Sequence, residues 1–113
     1  MTSPLPTLPG PAAAACGPPS TGLDPTLDAE RIAAVAKALS EPLRVRMLDV
    51  LRRHGEPLCQ CELAPLFGLP QSTLSHHVSK LVAAGLVDVE RRHRWAFYSV
   101  ADDGLRPLGA WVR

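Results

Sequence analysis

Two cysteines stand one residue apart, Cys59 and Cys61, followed at once by Glu62, and a third thiol lies far upstream at Cys16. An odd count with this spacing argues against a disulfide framework and for reduced thiols that bind a soft ion or take part in redox exchange. Cys59-x-x-Glu62 occupies the frame of a capping box, where Ser or Thr ordinarily stands. Cysteine caps weakly, so stability alone does not select it. A helix N-terminus with unpaired N–H groups is expected to lower the thiol pKa. On a regular helix, residues i and i+2 point about 200° apart. Both thiols could then reach one ion only if the first turn were irregular or unwound. Small buried hydrophobes are the plain alternative for this pair.

A second group of residues suits an anionic partner. If Leu74, Val78 and Leu81 are the buried centre of one helix, then Ser72, Ser75, His76 and Ser79 face outward, with Gln71 in the opening turn and Lys80 at the flank. That face has short hydrogen-bonding groups and no acid, which lets a backbone approach a groove floor and phosphates. His77 falls at the edge of the apolar stripe and reads as a half-buried, satisfied histidine. Further on, Arg91, Arg92, His93 and Arg94 cluster at a loop that suits phosphate or minor-groove contact.

These residues need elements to hold them. Ile32, Val35, Ala36 and Leu39 recur with helical spacing behind Asp28, a plausible N-cap. Pro42 ends that helix or opens the next, which carries Leu43, Val45, Met47, Leu48, Val50 and Leu51 and stops near Gly55. A shorter helix is expected after Pro57, with a stripe of Leu63, Leu66 and Phe67. Gly68-Leu69-Pro70 is a tight turn, and a helix follows from Gln71 to about Ala84. Leu86 to Glu90 and Trp95 to Val100 read as two strands, with Arg92, His93 and Arg94 in the turn between them. Asp102-Asp103 could cap a last helix bearing Leu105, Leu108, Trp111 and Val112. Two helices across a Gly-containing turn, followed by a hairpin, predict a winged helix-turn-helix: mainly α with a small β-hairpin.

The chain has 113 residues, enough for one domain and a tail. Residues 1–27 contain Pro4, Pro6, Pro9, Pro11, Pro18, Pro19 and Pro25 among Gly, Ala, Ser and Thr, and read as a flexible arm; residues 28–113 form the DNA-binding domain. The net charge is +1, but residues 43–100 hold eight basic side chains against five acidic ones. No apolar run is long enough to span a membrane, and no Lys or Arg precedes an apolar run near the start. A cytoplasmic protein is expected, with no membrane partner. Nothing beside the cysteines suggests an enzyme's pocket and base, so no catalytic residue is assigned.

Pro42-Leu43-Arg44-Val45-Arg46-Met47-Leu48, Cys59-Gln60-Cys61-Glu62-Leu63, Gln71-Ser72-Thr73-Leu74-Ser75-His76-His77-Val78 and Ala84-Gly85-Leu86-Val87 together resemble the ArsR/SmtB metalloregulatory repressors over residues 28 to about 112. The resemblance implies a homodimeric repressor that leaves double-stranded operator DNA when a metal or metalloid binds. It implies a recognition helix from Gln71 to Ala84 that includes Thr73, a wing tip at residues 91–94, and a dimer interface from residues 28–40 and 103–113. It places arsenic sensing at Cys59 and Cys61, with As(III) or Sb(III) as inducer rather than a catalytic cofactor. The family's usual third Cys falls where this chain has Ala64, so Cys16 must supply the third thiolate that As(III) prefers. Two thiols suffice for a monomethylated arsenical. The Asp/His set of the family's zinc sensors is missing, since no His follows His93, and Pro70 replaces the Ser that caps the recognition helix. A sensor of Cd(II), Pb(II) or Zn(II), with His54 near the pair, and a thiol-disulfide switch are the alternatives.

One recognition helix and one basic wing per chain need two copies to span successive major grooves. The protein should therefore sediment as a dimer on an imperfect inverted repeat. Its affinity should fall steeply with salt, which fluorescence anisotropy across a salt series will measure.

Overall fold

The computed structural model describes residue 17 and residues 20–113. The expected arm falls mostly outside these residues, and Cys16 falls outside them entirely. Helix α1 (Ala29–Ala38) starts where Asp28 Oδ1 accepts the N–H of Arg31 at 3.1 Å, the cap expected from the residue type. It buries Ile32, Val35 and Ala38. Pro42 opens α2 (Pro42–His54) rather than ending α1, because a first-turn N–H has no helical partner to lose. This helix buries Met47, Leu48 and Leu51 and ends at Gly55.

The chain then departs from the expected pattern. Leu58–Cys59 forms a two-residue strand, β1, so the helix expected after Pro57 begins only at Gln60. Helix α3 (Gln60–Phe67) packs through Leu63 and Ala64 with Phe67 beside them, whereas Leu66 is 62% exposed. With apolar groups at positions 63, 64, 66 and 67 of an eight-residue helix, several stripes were open, and packing chose the one holding Ala64. Gly68 turns the chain at φ 65°, a left-handed conformation that favours glycine, and Leu69-Pro70 leads into α4 (Gln71–Ala83). Leu74, Val78 and Leu81 of α4 are fully buried, as the spacing implies. Each contributes about 1.5–3 kcal/mol relative to exposure.

Strands β2 (Val87–Arg92) and β3 (Trp95–Val100) pair antiparallel from Val87↔Val100 to Arg92↔Trp95. Arg92 thus belongs to the strand, and His93-Arg94 alone make the turn, with His93 at φ 59°. β1 pairs with the other edge of β3, Leu58 opposite Tyr98 and Cys59 opposite Phe97, so the hairpin is extended to a three-stranded sheet of order β1-β3-β2. Helix α5 (Arg106–Trp111) lacks the side-chain cap expected from Asp102-Asp103. Asp103 instead pairs with Arg106 at 2.8 Å. Leu105 and Leu108 pack on the core, while Trp111 and Val112 are exposed. No helix among the described residues is long and apolar enough to cross a membrane.

Gly104 is buried where the chain returns from the wing to α5. A Cβ there would lie 2.5 Å from the Gly85 carbonyl oxygen and 2.9 Å from Leu86 Cα, both backbone atoms at the end of α4. Gly104→Ala should destabilise the fold by about 1–3 kcal/mol, read as a lower urea midpoint at unchanged m-value.

Candidate thiol and nucleic-acid site

Cys59 is held by sheet pairing on one side and by the helix it caps on the other. Its backbone is extended (φ −67°, ψ 143°), its side chain is buried, and Sγ accepts the N–H of Cys61 at 3.3 Å. Glu62 reaches back, its Oε1 accepting the Cys59 N–H at 3.0 Å, so the capping box expected from Cys59-x-x-Glu62 is complete. Cys61 is half-buried in the first helical turn. Because Cys59 stands outside the helix as its cap, its sulfur bonds the Cys61 backbone N–H with α3 intact. The regular i, i+2 spacing therefore does not describe this pair, because Cys59 is extended and only Cys61 is helical.

The thiol pKa expectation is also corrected for Cys61. That thiol lies above its ordinary value, chiefly through the hydrogen bond with Cys59, then through desolvation and repulsion from Cys59 and Glu62. Among the described residues no three His, Cys, Asp or Glu side chains converge on a common point. His54 therefore does not complete a ligand set with the pair.

The first turn of α3 is tied to two other elements through Gln60. Its Nε2 donates to Gln71 Oε1 at 3.3 Å, and its Oε1 accepts from the Tyr98 hydroxyl at 3.4 Å. Within α3, Pro65 has no N–H for the i→i−4 bond to the carbonyl of Cys61. The residue pattern singled out neither Gln60 nor Tyr98, because contacts 11 and 38 positions apart carry no periodic signal.

Gln71, Ser72, His76, Ser79 and Lys80 are exposed on α4, and Thr73 and Ser75 are half-buried. Pro70 offers no side-chain cap, leaving the N-terminal N–H groups of α4 without one. His77 is half-buried, its Nδ1 3.4 Å from Arg44, whose Nε donates to the Ala38 carbonyl at 2.6 Å. That contact agrees with a satisfied histidine and fixes α4 against the α1–α2 corner. Arg91, Arg92 and Arg94 are all exposed on the wing. Arg92 is the most engaged of them, paired with Glu90 at 3.0 Å and placed 4.6 Å from the Phe97 ring centre. The Glu90 carboxyl is held below its ordinary pKa by that bond. Arg94 lies 5.9 Å from the Trp95 ring centre.

A short turn between α3 and α4, an acid-free exposed face on α4 and an arginine-bearing hairpin define a winged helix-turn-helix DNA-binding regulator. Residues 41–89 match the bacterial regulatory protein, arsR family. The chain is 33% identical over 79 residues to an uncharacterized HTH-type transcriptional regulator of Methanocaldococcus jannaschii, covering 70% of this chain and 88% of that protein. It is 35% identical to a putative arsenical resistance operon repressor of Halobacterium salinarum, over 71% of this chain and 60% of the relative. A cadmium resistance regulatory protein homolog of Staphylococcus aureus is 34% identical, over 68% of this chain and 63% of the relative. The chain thus spans less than two thirds of the latter two. Among solved structures, the homodimeric winged helix-turn-helix domain of a possible ArsR-family regulator from Mycobacterium bovis superposes with a TM-score of 0.62 at 28% identity, over 74% of this chain and 75% of that one. The chain belongs to the arsR family of bacterial regulatory proteins, which are transcription regulators and not enzymes.

If the cap is the stabilising role of Cys59, its two common replacements should differ. Cys59→Ser keeps an acceptor for the Cys61 N–H, and Cys59→Ala removes it. Thermal unfolding should place Ala below Ser by about 0.5–2 kcal/mol.

Proposed function

We propose that this regulator is a metalloid-responsive repressor that holds operator DNA as a dimer and releases it when As(III) or Sb(III) binds Cys59 and Cys61. The observation that carries this reading is the placement of the two thiols at the start of the helix that leads into α4, Cys59 as its cap and Cys61 in its first turn. Soft thiolates suit soft ions. Each thiol that adds to As(OH)3 takes the place of one hydroxyl and releases one water, so three thiols give an As(SR)3 centre and three waters. With two thiols together among the described residues, the third falls to Cys16. The chain from Cys16 to Asp28 is long enough, at about 3.3 Å per extended residue, to reach over α3. Residues 1–27 then serve as a ligand-bearing arm and residues 28–113 as the DNA-binding domain.

The DNA face is formed by Gln71, Ser72, Thr73, Ser75, His76, Ser79 and Lys80, with Arg91, Arg92 and Arg94 on the backbone. Its acid-free surface supports that assignment. Dimerisation uses α1 and α5, a reading supported by the exposed Leu27, Trp111 and Val112 beside them and by the homodimeric M. bovis neighbour. The repressor acts in the cytoplasm. The arsenical repressor of H. salinarum supports the metalloid, while the cadmium regulator of S. aureus makes cadmium the necessary comparison. Tetrahedral zinc and cadmium ordinarily take four ligands, more than the three thiols available.

Cys59→Ser and Cys61→Ser should each retain operator affinity and lose release by arsenite, measured by fluorescence anisotropy. X-ray absorption on the arsenite complex should find three sulfur neighbours in the native protein and fewer in Cys16→Ser. Release by cadmium, zinc or peroxide but not arsenite would reassign the inducer. Normal arsenite release by either Cys59→Ser or Cys61→Ser would remove the pair from the site.

A further inference from the structure

We infer that Gln60, the residue between the two cysteines, is the positioning residue that transmits thiol occupancy to the DNA-binding surface. The inference rests on the reading of Cys59 and Cys61 as the inducer site and of α4 as the DNA-contacting helix.

One amide group joins three elements. On the backbone, Gln60 is the first residue of α3 and separates the extended cap Cys59 from the helical Cys61. An ion shared by the two sulfurs pulls on the peptide units at either side of Gln60. Its half-buried side chain leads away from the thiols to the start of α4, donating to Gln71 at 3.3 Å. The same amide accepts from Tyr98, a buried residue in the central strand of the sheet, at 3.4 Å. Tyr98 pairs with Val89 in the wing strand β2 and with Leu58 next to Cys59. Recognition helix, wing and thiol pair therefore meet at Gln60.

The two bonds suit a switch. Both lie at the long end of hydrogen-bond distances, so a displacement of a few tenths of an ångström breaks them. The start of α4 has no side-chain cap of its own at Pro70, so the Gln60–Gln71 bond is a side-chain tie on its first residue. Pro65 withholds the helical bond to the Cys61 carbonyl, which removes one restraint on the turn that must move. Coupling between sites in proteins typically amounts to 5–150-fold in affinity, a range that the loss of two such bonds can supply.

The test separates binding from coupling. Gln60→Met keeps the length of the side chain and removes both bonds; Tyr98→Phe keeps the buried ring and removes one. For the native protein and both variants, arsenite binding to DNA-free protein is followed by thiolate–arsenic absorbance. Affinity for an operator duplex, selected from random sequence with the native protein, is followed by anisotropy with and without arsenite. Gln60→Met should bind arsenite as the native protein does, yet its arsenite-induced loss of DNA affinity should shrink at least tenfold. Tyr98→Phe should show a smaller reduction in the same ratio. In arsenite-free protein, Gln60→Met should already shift the backbone NMR resonances of residues 71–73 and 97–99. A merely structural role would lower stability and DNA affinity while leaving the ratio with and without arsenite intact. An undiminished ratio in Gln60→Met, with a responsive native protein, overturns the role of Gln60 alone. A native protein that neither binds arsenite nor releases DNA overturns the thiol-site reading and this inference with it.

Discussion

The cap at the start of α3 is the constraint on which the rest depends. Cys59 must be extended to pair with Phe97 and must turn its sulfur toward the Cys61 N–H to begin the helix. Both demands are met by one backbone conformation, with Glu62 closing the box from the other side. The position of α3 thereby follows from the sheet, and the position of α4 follows from α3 through a turn of three residues. The two thiols therefore stand at the joint between the wing and the helix-turn-helix. A cysteine is a poor choice for a cap on stability grounds.

The rigid and the loosely held parts are distributed accordingly. Met47, Leu51, Leu63, Leu74, Leu81 and Leu86 are fully buried and bind α2, α3, α4 and the sheet into one core. The close approach of Gly104 to Gly85 and Leu86 ties the end of α4 to the segment entering α5. The Arg44 fork on the Ala38 carbonyl and His77 fixes α4 along its middle. The first residues of α4 are exposed and lack a side-chain cap, with Gln71 bonded to Gln60 at 3.3 Å, while Leu74 anchors the first turn in the core.

The wing shows how local context changes a charge. Arg91, Arg92 and Arg94 look equivalent as residue types. In the hairpin, Arg92 is drawn back along β2 by Glu90 and the Phe97 ring, while Arg94 sits on the turn against Trp95. At this surface exposure such an ion pair is weak, so a phosphate can displace it.

The sequence by itself determined the helices with clear period, their boundaries at Asp28, Pro42, Gly55 and Gly68, the buried stripe of α4, the two long strands and the capping box of Cys59. Each rests on local spacing or on one residue's backbone preference, information that neighbouring positions carry. Only the tertiary structure decided the strand at Leu58–Cys59, because two residues have no period and exist as a strand only beside β3. Packing likewise turned Leu66 outward, moved Arg92 into β2 and left Asp103 to pair with Arg106 rather than cap α5. The extended cap conformation of Cys59 beside a helical Cys61, and the amide of Gln60 between Gln71 and Tyr98, are of the same kind. They join groups far apart in the chain or across an element boundary, where distance is set by how helices and sheet stack and not by any spacing legible along the chain.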